Sequence, residues 1–184
     1  MWGQILSTAF LGGGVLFSYA IVLFNSFGGF ELPTESSRSY LESPYWLGLP
    51  RSSTTALLIF QVGAGIGYFM WFVSIVITRP TRGLLADPRW LFGCNAIFLV
   101  ASAVWPFAAY QLLQFSSTVW RAILACLPLW MAAIGMCLLV GGTFEDDRSS
   151  PVALIGILLT STVVVMVDGV GWSATALYTA IHEK

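Results

Sequence analysis

Residues 151–180 read PVALIGILLTSTVVVMVDGVGWSATALYTA, an apolar run with a single carboxylate, Asp168, deep inside it. A bilayer core of roughly 30 Å is crossed by about 20 apolar residues in helical form. A span over about 152–180 is therefore long enough to cross, and it holds Asp168 well within lipid depth. A charge at that depth is costly unless it faces protein or water. The rest of the chain is read for what surrounds this acid.

Composition makes lipid the solvent. Hydrophobic residues are 57% of the 184 and charged residues 9%, against about 25% charged in a typical soluble domain. A soluble protein this apolar lacks the polar surface to cover itself. The net charge of −1 gives no electrostatic footprint for nucleic acid, which is excluded as a partner. Cys94, Cys126 and Cys137 all fall in apolar runs, so they read as packing residues and not as a disulfide framework. With one histidine, His182, near the C-terminus, no Cys/His metal constellation can be built, and no metal ligand is assigned. None of GxSxG, HExxH, CxxC or a Gly-rich phosphate loop occurs, so no catalytic residue is assigned and the expectation is a non-enzymatic protein. The acidic run Glu145-Asp146-Asp147 has the chemistry of a divalent-cation ligand, but a charged loop between helices is usually just solvated.

Outward from the last span, four more apolar stretches are read as helices, at about 3–27, 54–78, 90–115 and 119–142. The first lacks a basic flank and is longer than a signal-peptide core, so it is expected to stay as a transmembrane helix. Its Gly12-Gly13-Gly14 run is read as a site of close approach between helix backbones. Gly63 and Gly67 in the second stretch are four apart and share a helix face, a packing pattern. Asp87-Pro88 supplies an N-cap and first residue for the third. Pro106 and Pro128 interrupt the third and fourth, and Pro151 opens the fifth. The expected fold is thus all-α: one transmembrane domain over 1–184, a bundle of five transmembrane helices. The polar stretch 28–53 lies between the first and second, and Ser43-Pro44-Tyr45-Trp46-Leu47 within it reads as a short interfacial helix.

Five spans put the termini on opposite sides. The loop carrying Arg79, Arg82 and Arg89 against Asp87 is short and basic, so it is expected on the cytoplasmic or equivalent side, with the N-terminus. The acidic loop 145–148 falls on that side too, and the C-terminus on the other.

Depth selects the groups that can meet Asp168. At about 1.5 Å rise per residue, Gln61 lies roughly 10 Å and Asp168 on the order of 15 Å below the same surface. Asn95 enters from the opposite side, which makes it a poor partner for either. Arg121, at the head of the fourth span, has a long side chain that is read as a second partner for Asp168, lowering the cost of burying both charges. Ser161, Asp168, Trp172, Thr175 and Thr179 are spaced for one face of an α-helix, and Gly169 and Gly171 thin the helix beside the acid. Trp71, Trp105, Trp130 and Trp172 lie inside spans, where they either pack helices or wall a pocket for a flat ligand.

Two main functions are consistent with this pattern. Asp168 either fixes how helices assemble with other membrane subunits or with copies of the chain, or acts as a protonatable or cation-binding group in a small transporter or channel. In a third, the protein carries a flat hydrophobic ligand in an aromatic pocket. With five spans, similar length and many tryptophans, the chain resembles in gross architecture the translocator protein family of sterol and porphyrin binders. That likeness implies a ligand of the third kind and carries over no residue. The assembly role is the leading expectation, because no second acid, lysine or histidine lies mid-span to continue a relay and no internal repeat is visible.

Overall fold

A computed structural model describes residues 2–26, 51–114 and 118–182. Within these, every long element is helical: α1 (Trp2–Ser26), α2 (Arg51–Thr78), α3 (Pro88–Gln114) and α4 (Val119–Glu145). The fifth span runs in three consecutive pieces, α5 (Pro151–Ser161), a π-helical segment (Thr162–Trp172) and α6 (Ser173–His182). Five helices are long and apolar enough to cross a membrane, over Gly3–Ile21, Thr55–Thr78, Pro88–Leu112, Val119–Glu145 and Pro151–His182. The protein is a polytopic helical bundle with lipid as its solvent. The interfacial segment expected at 43–47 lies outside the described residues. Residues 51–53, expected in the preceding loop, instead open α2. They are polar but helix-compatible, so the helix runs on past the apolar stretch.

Local chemistry sets the helix starts. Pro88 is the first residue of α3, and the Arg89 amide donates to Asp87 Oδ1 at 2.8 Å. Thr118 caps α4 by accepting from the Arg121 amide at 3.4 Å, and Ser150 caps α5 by accepting from the Ala153 amide at 3.1 Å. Each cap satisfies one of the donors a helix N-terminus leaves open.

α4 is the central rod, with α3 on one flank and the fifth span on the other; α2 packs on α5, and α1 on α3. Apolar tails give no hydrophobic drive between helices, so close fit and hydrogen bonds must hold them. The tightest fit is between α2 and α5. A Cβ on Gly67 would stand 2.7 Å from the Gly156 carbonyl oxygen, and Thr160 donates to the Ala64 carbonyl at 3.0 Å. A second close crossing joins α4 to α3, where a Cβ on Gly135 would lie 2.8 Å from the Phe98 amide nitrogen. Gly63, the other member of the expected pair, faces open space, and so do Gly12, Gly13 and Gly14. The face that meets α5 steps from Ala64 to Gly67 to Trp71, three and four residues at a time, which leaves Gly63 off it.

Trp71, fully buried, anchors the core with Ile75, Phe98, Met136, Leu139 and Ile157. Its indole Nε1 donates to Thr143 Oγ1 at 2.9 Å, and that hydroxyl donates to the Leu139 carbonyl at 2.7 Å. Thr143→Val keeps the shape but leaves a buried N–H without its acceptor. It is expected to cost about 1–3 kcal/mol, read as a lower unfolding midpoint in detergent, while Thr143→Ser keeps most of the stability.

One end of the bundle is tied by its loops. Arg82 pairs with Asp147, the Leu84 amide donates to Glu145 Oε2 at 2.8 Å, and the Ser74 and Ser150 hydroxyls meet at 2.5 Å. The Gln4 side chain donates to the Pro88 carbonyl at 3.1 Å, bringing the start of α1 to the same end. Gly83 has φ 71, a left-handed conformation in which a Cβ would also meet the Glu145 side chain. The Arg82–Asp147 pair is exposed, at 73% and 71%, so it contributes little to stability beyond registering the loops. The basic loop, the acidic loop and the start of α1 thus share one face, and the end of α6 lies at the other.

Candidate intramembrane polar site

Asp168 sits in the π-helical segment. Its neighbours Val163, Val164, Val165 and Val167 are β-branched and crowd an α-helical turn, while Gly169 and Gly171 tolerate altered winding. π-helical turns bond i to i+5 and recur at functional sites. The wider turn also breaks the seven-residue α-helical spacing expected to align Ser161 with Asp168 on one face, while the four-residue step from Asp168 to Trp172 survives it. Ser161 and Thr162 donate instead to the Leu158 carbonyl at 3.1 and 2.9 Å, and Thr175 to the Gly171 carbonyl at 3.0 Å. These three hydroxyls satisfy their own helix and do not line a shared polar wall.

The Gln61 side chain lies within hydrogen-bonding reach of the Asp168 carboxyl. Both residues are mostly buried and keep only a minor part of their surface exposed. Gly169 turns toward α4, where its Cβ position is 3.3 Å from Ala133 Cβ; Gly171 is exposed and meets only the Met166 carbonyl of its own helix.

Arg121 does not share this level. Gly169 sits against Ala133, Cys126 Sγ donates weakly to the Ser173 carbonyl at 3.9 Å, and Ala122 packs with Ala176 and Ala180. This antiparallel register leaves Arg121, exposed at the head of α4, twelve positions before Ala133, roughly 18 Å along the axis. The expected Arg121–Asp168 ion pair is therefore out of reach. Trp172 packs edge-on against Trp105, with ring centroids 5.4 Å apart at 88°, and Trp105 meets Tyr19 of α1 at 5.9 Å. These rings fill the space between α1, α3 and the fifth span.

A second polar cluster escaped the sequence reading. Tyr68 donates its hydroxyl proton to Asn95 Oδ1 at 2.6 Å, and Asn95 Nδ2 donates to Thr8 Oγ1 at 2.8 Å, joining α2, α3 and α1. Asn95 is buried at 4% exposure, so these bonds offset the cost of removing an amide from water. Depth carried the available signal: Thr8, Tyr68 and Asn95 each stand a few turns from the same end of their helices. On α2, Gln61, Tyr68 and Ile75 are seven apart, so one helix face carries both polar groups.

Among the described residues, no group of three or more His, Cys, Asp or Glu side chains is placed to hold a metal ion. The described arginines, at 51, 79, 82, 89, 121 and 148, all lie at or beyond helix ends or within the first turn, leaving the middle depth to the acid and its amide. No known protein family, curated protein or solved structure matches the chain. What the fold supports directly is the class: an integral membrane protein of five helices.

Proposed function

We infer that this is a non-enzymatic assembly subunit of a larger membrane complex, with the Asp168–Gln61 pair as the polar contact that selects its neighbour. The observation that supports the reading is a carboxyl and a carboxamide set together at lipid depth, mostly buried but with a minor part of their surface still exposed. Facing acyl chains, that exposed part is costly; covered by a donor or cation from a neighbouring transmembrane helix, it becomes a specific contact. Asp168→Asn keeps the size and a hydrogen bond to Gln61 while removing the acid. In protein extracted gently from its own membrane, native mass spectrometry is expected to find the wild type bound to other polypeptide and the variant mostly alone. An unchanged complex would overturn the reading.

A transport role has one observation in its favour. The face of α2 that carries Gln61 also carries Tyr68, whose hydroxyl bonds Asn95, so polar groups recur along that face. In that case Asp168→Asn leaves the complex intact and abolishes proton or cation flux in proteoliposomes.

A further inference from the structure

At the end of the bundle tied by the loops, a cavity of about 200 Å3 opens between α1, α2 and α3. It is separate from Asp168, which lies in the fifth span. Its polar lining is Gln4, Thr8, Arg79 and Asn95, and its apolar lining includes Phe72, Ile75, Leu91 and Phe92. The polar groups are graded by depth. Gln4 lies in the first turn of α1 and Arg79 follows the last residue of α2, at the membrane edge. Asn95 and Thr8, bonded to each other at 2.8 Å, sit farther in. Phe92 lines the cavity and is also 46% exposed on the lipid-facing surface of α3, so the space communicates sideways with the bilayer.

Charge and shape together select an occupant. Arg79 is the ionised group in the lining. It is held there in a left-handed backbone conformation, φ 52, which is uncommon for a residue with a side chain. Its amide still donates to the Ile75 carbonyl at 3.0 Å, so the chain leaves the helix by turning sharply beside the cavity. The volume holds about seven water-sized groups, too few for a whole lipid and enough for a phosphate with part of its glycerol. A guanidinium suits phosphate oxygens through paired hydrogen bonds. Basic pockets between transmembrane helices bind anionic lipid headgroups by the same chemistry.

We propose that this cavity is a binding site for the phosphate headgroup of an anionic phospholipid, with Arg79 contacting the phosphate, Gln4 beside it at the rim, and the acyl chains leaving past Phe92 into the bilayer. The Asn95–Thr8 bond forms the polar floor, and Ala86 and Pro88 complete the lining.

The test uses the full-length protein, delipidated in detergent and titrated with phosphatidylglycerol or phosphatidylcholine under native mass spectrometry. The wild type is expected to retain one phosphatidylglycerol with about fivefold preference, the effect of one basic side chain near an anionic lipid. Arg79→Gln is expected to abolish that preference, whereas Arg89→Gln, which changes an exposed residue in the first turn of α3 outside the lining, keeps it. Ala86→Leu fills part of the cavity from its lining without altering any charge and is expected to lower retention as strongly, which keeps the test valid if Arg79→Gln folds poorly. Equal retention of the two lipids by the wild type, or equal losses from Arg79→Gln and Arg89→Gln, would overturn the proposal. So would full displacement of the lipid by millimolar inorganic phosphate, which would assign the site to a free anion.

Discussion

Replacing Gly156 by leucine is expected to eliminate folded protein. A Cβ at this position meets the Gly67 carbonyl oxygen inside van der Waals contact and lies 2.9 Å from the Trp71 amide nitrogen. Both are backbone atoms of α2, so no side-chain rotation relieves the clash and the two helices must separate. Separation breaks the Thr160–Ala64 hydrogen bond and unseats Trp71 from the core. Overpacking costs about 1–3 kcal/mol where neighbours can shift, and here they cannot, so the loss belongs at or above the top of that range. Size-exclusion profiles and tryptophan fluorescence of the purified variant report the outcome, with aggregation in place of a single species as the expected result. Gly63→Ala is the control. Nothing lies within 4 Å of its Cβ position, and alanine is the better helix former by about 1 kcal/mol, so stability should hold or rise.

Trp105→Ala is the second large effect. The ring is 1% exposed and is shared by Tyr19 of α1 and Trp172 of the fifth span. Its removal leaves a cavity where three elements meet, and such truncations cost about 3–5 kcal/mol. The unfolding transition in mixed micelles should move accordingly. Phe10→Ala provides the comparison. Phe10 is 82% exposed on the outer side of α1, and substitutions of this kind away from packing stay within about 0.5 kcal/mol. If Trp105→Ala behaved like Phe10→Ala, the aromatic column would not be holding α1 to the bundle.

The bundle was legible because its signals are long. Five apolar stretches of more than 18 residues admit few readings in lipid, and the proline and acid at 87–88 mark a helix start by local chemistry alone. Side-chain depth was also legible: counting from the helix ends put Gln61 and Asp168 at comparable levels. Rotation about the helix axes was not. α-Helical spacing cannot anticipate a π-helical stretch at Thr162–Trp172, and that winding undid the expected polar face. Register between antiparallel neighbours was equally hidden, and it is what leaves Arg121 roughly 18 Å from the acid. The small residues posed a related problem. Gly63 and Gly67 look equivalent in sequence, yet only Gly67 meets another helix, because Gly156 stands opposite it.

The most direct test of the Asp168–Gln61 contact is photo-crosslinking from position 65. Gly65 is exposed and open, one turn from Gln61 on α2. With p-benzoylphenylalanine placed there and irradiated in the native membrane, the account predicts a covalent adduct with a second polypeptide, and predicts that Asp168→Asn abolishes it. Adducts with lipid alone, the same with or without the acid, would contradict it.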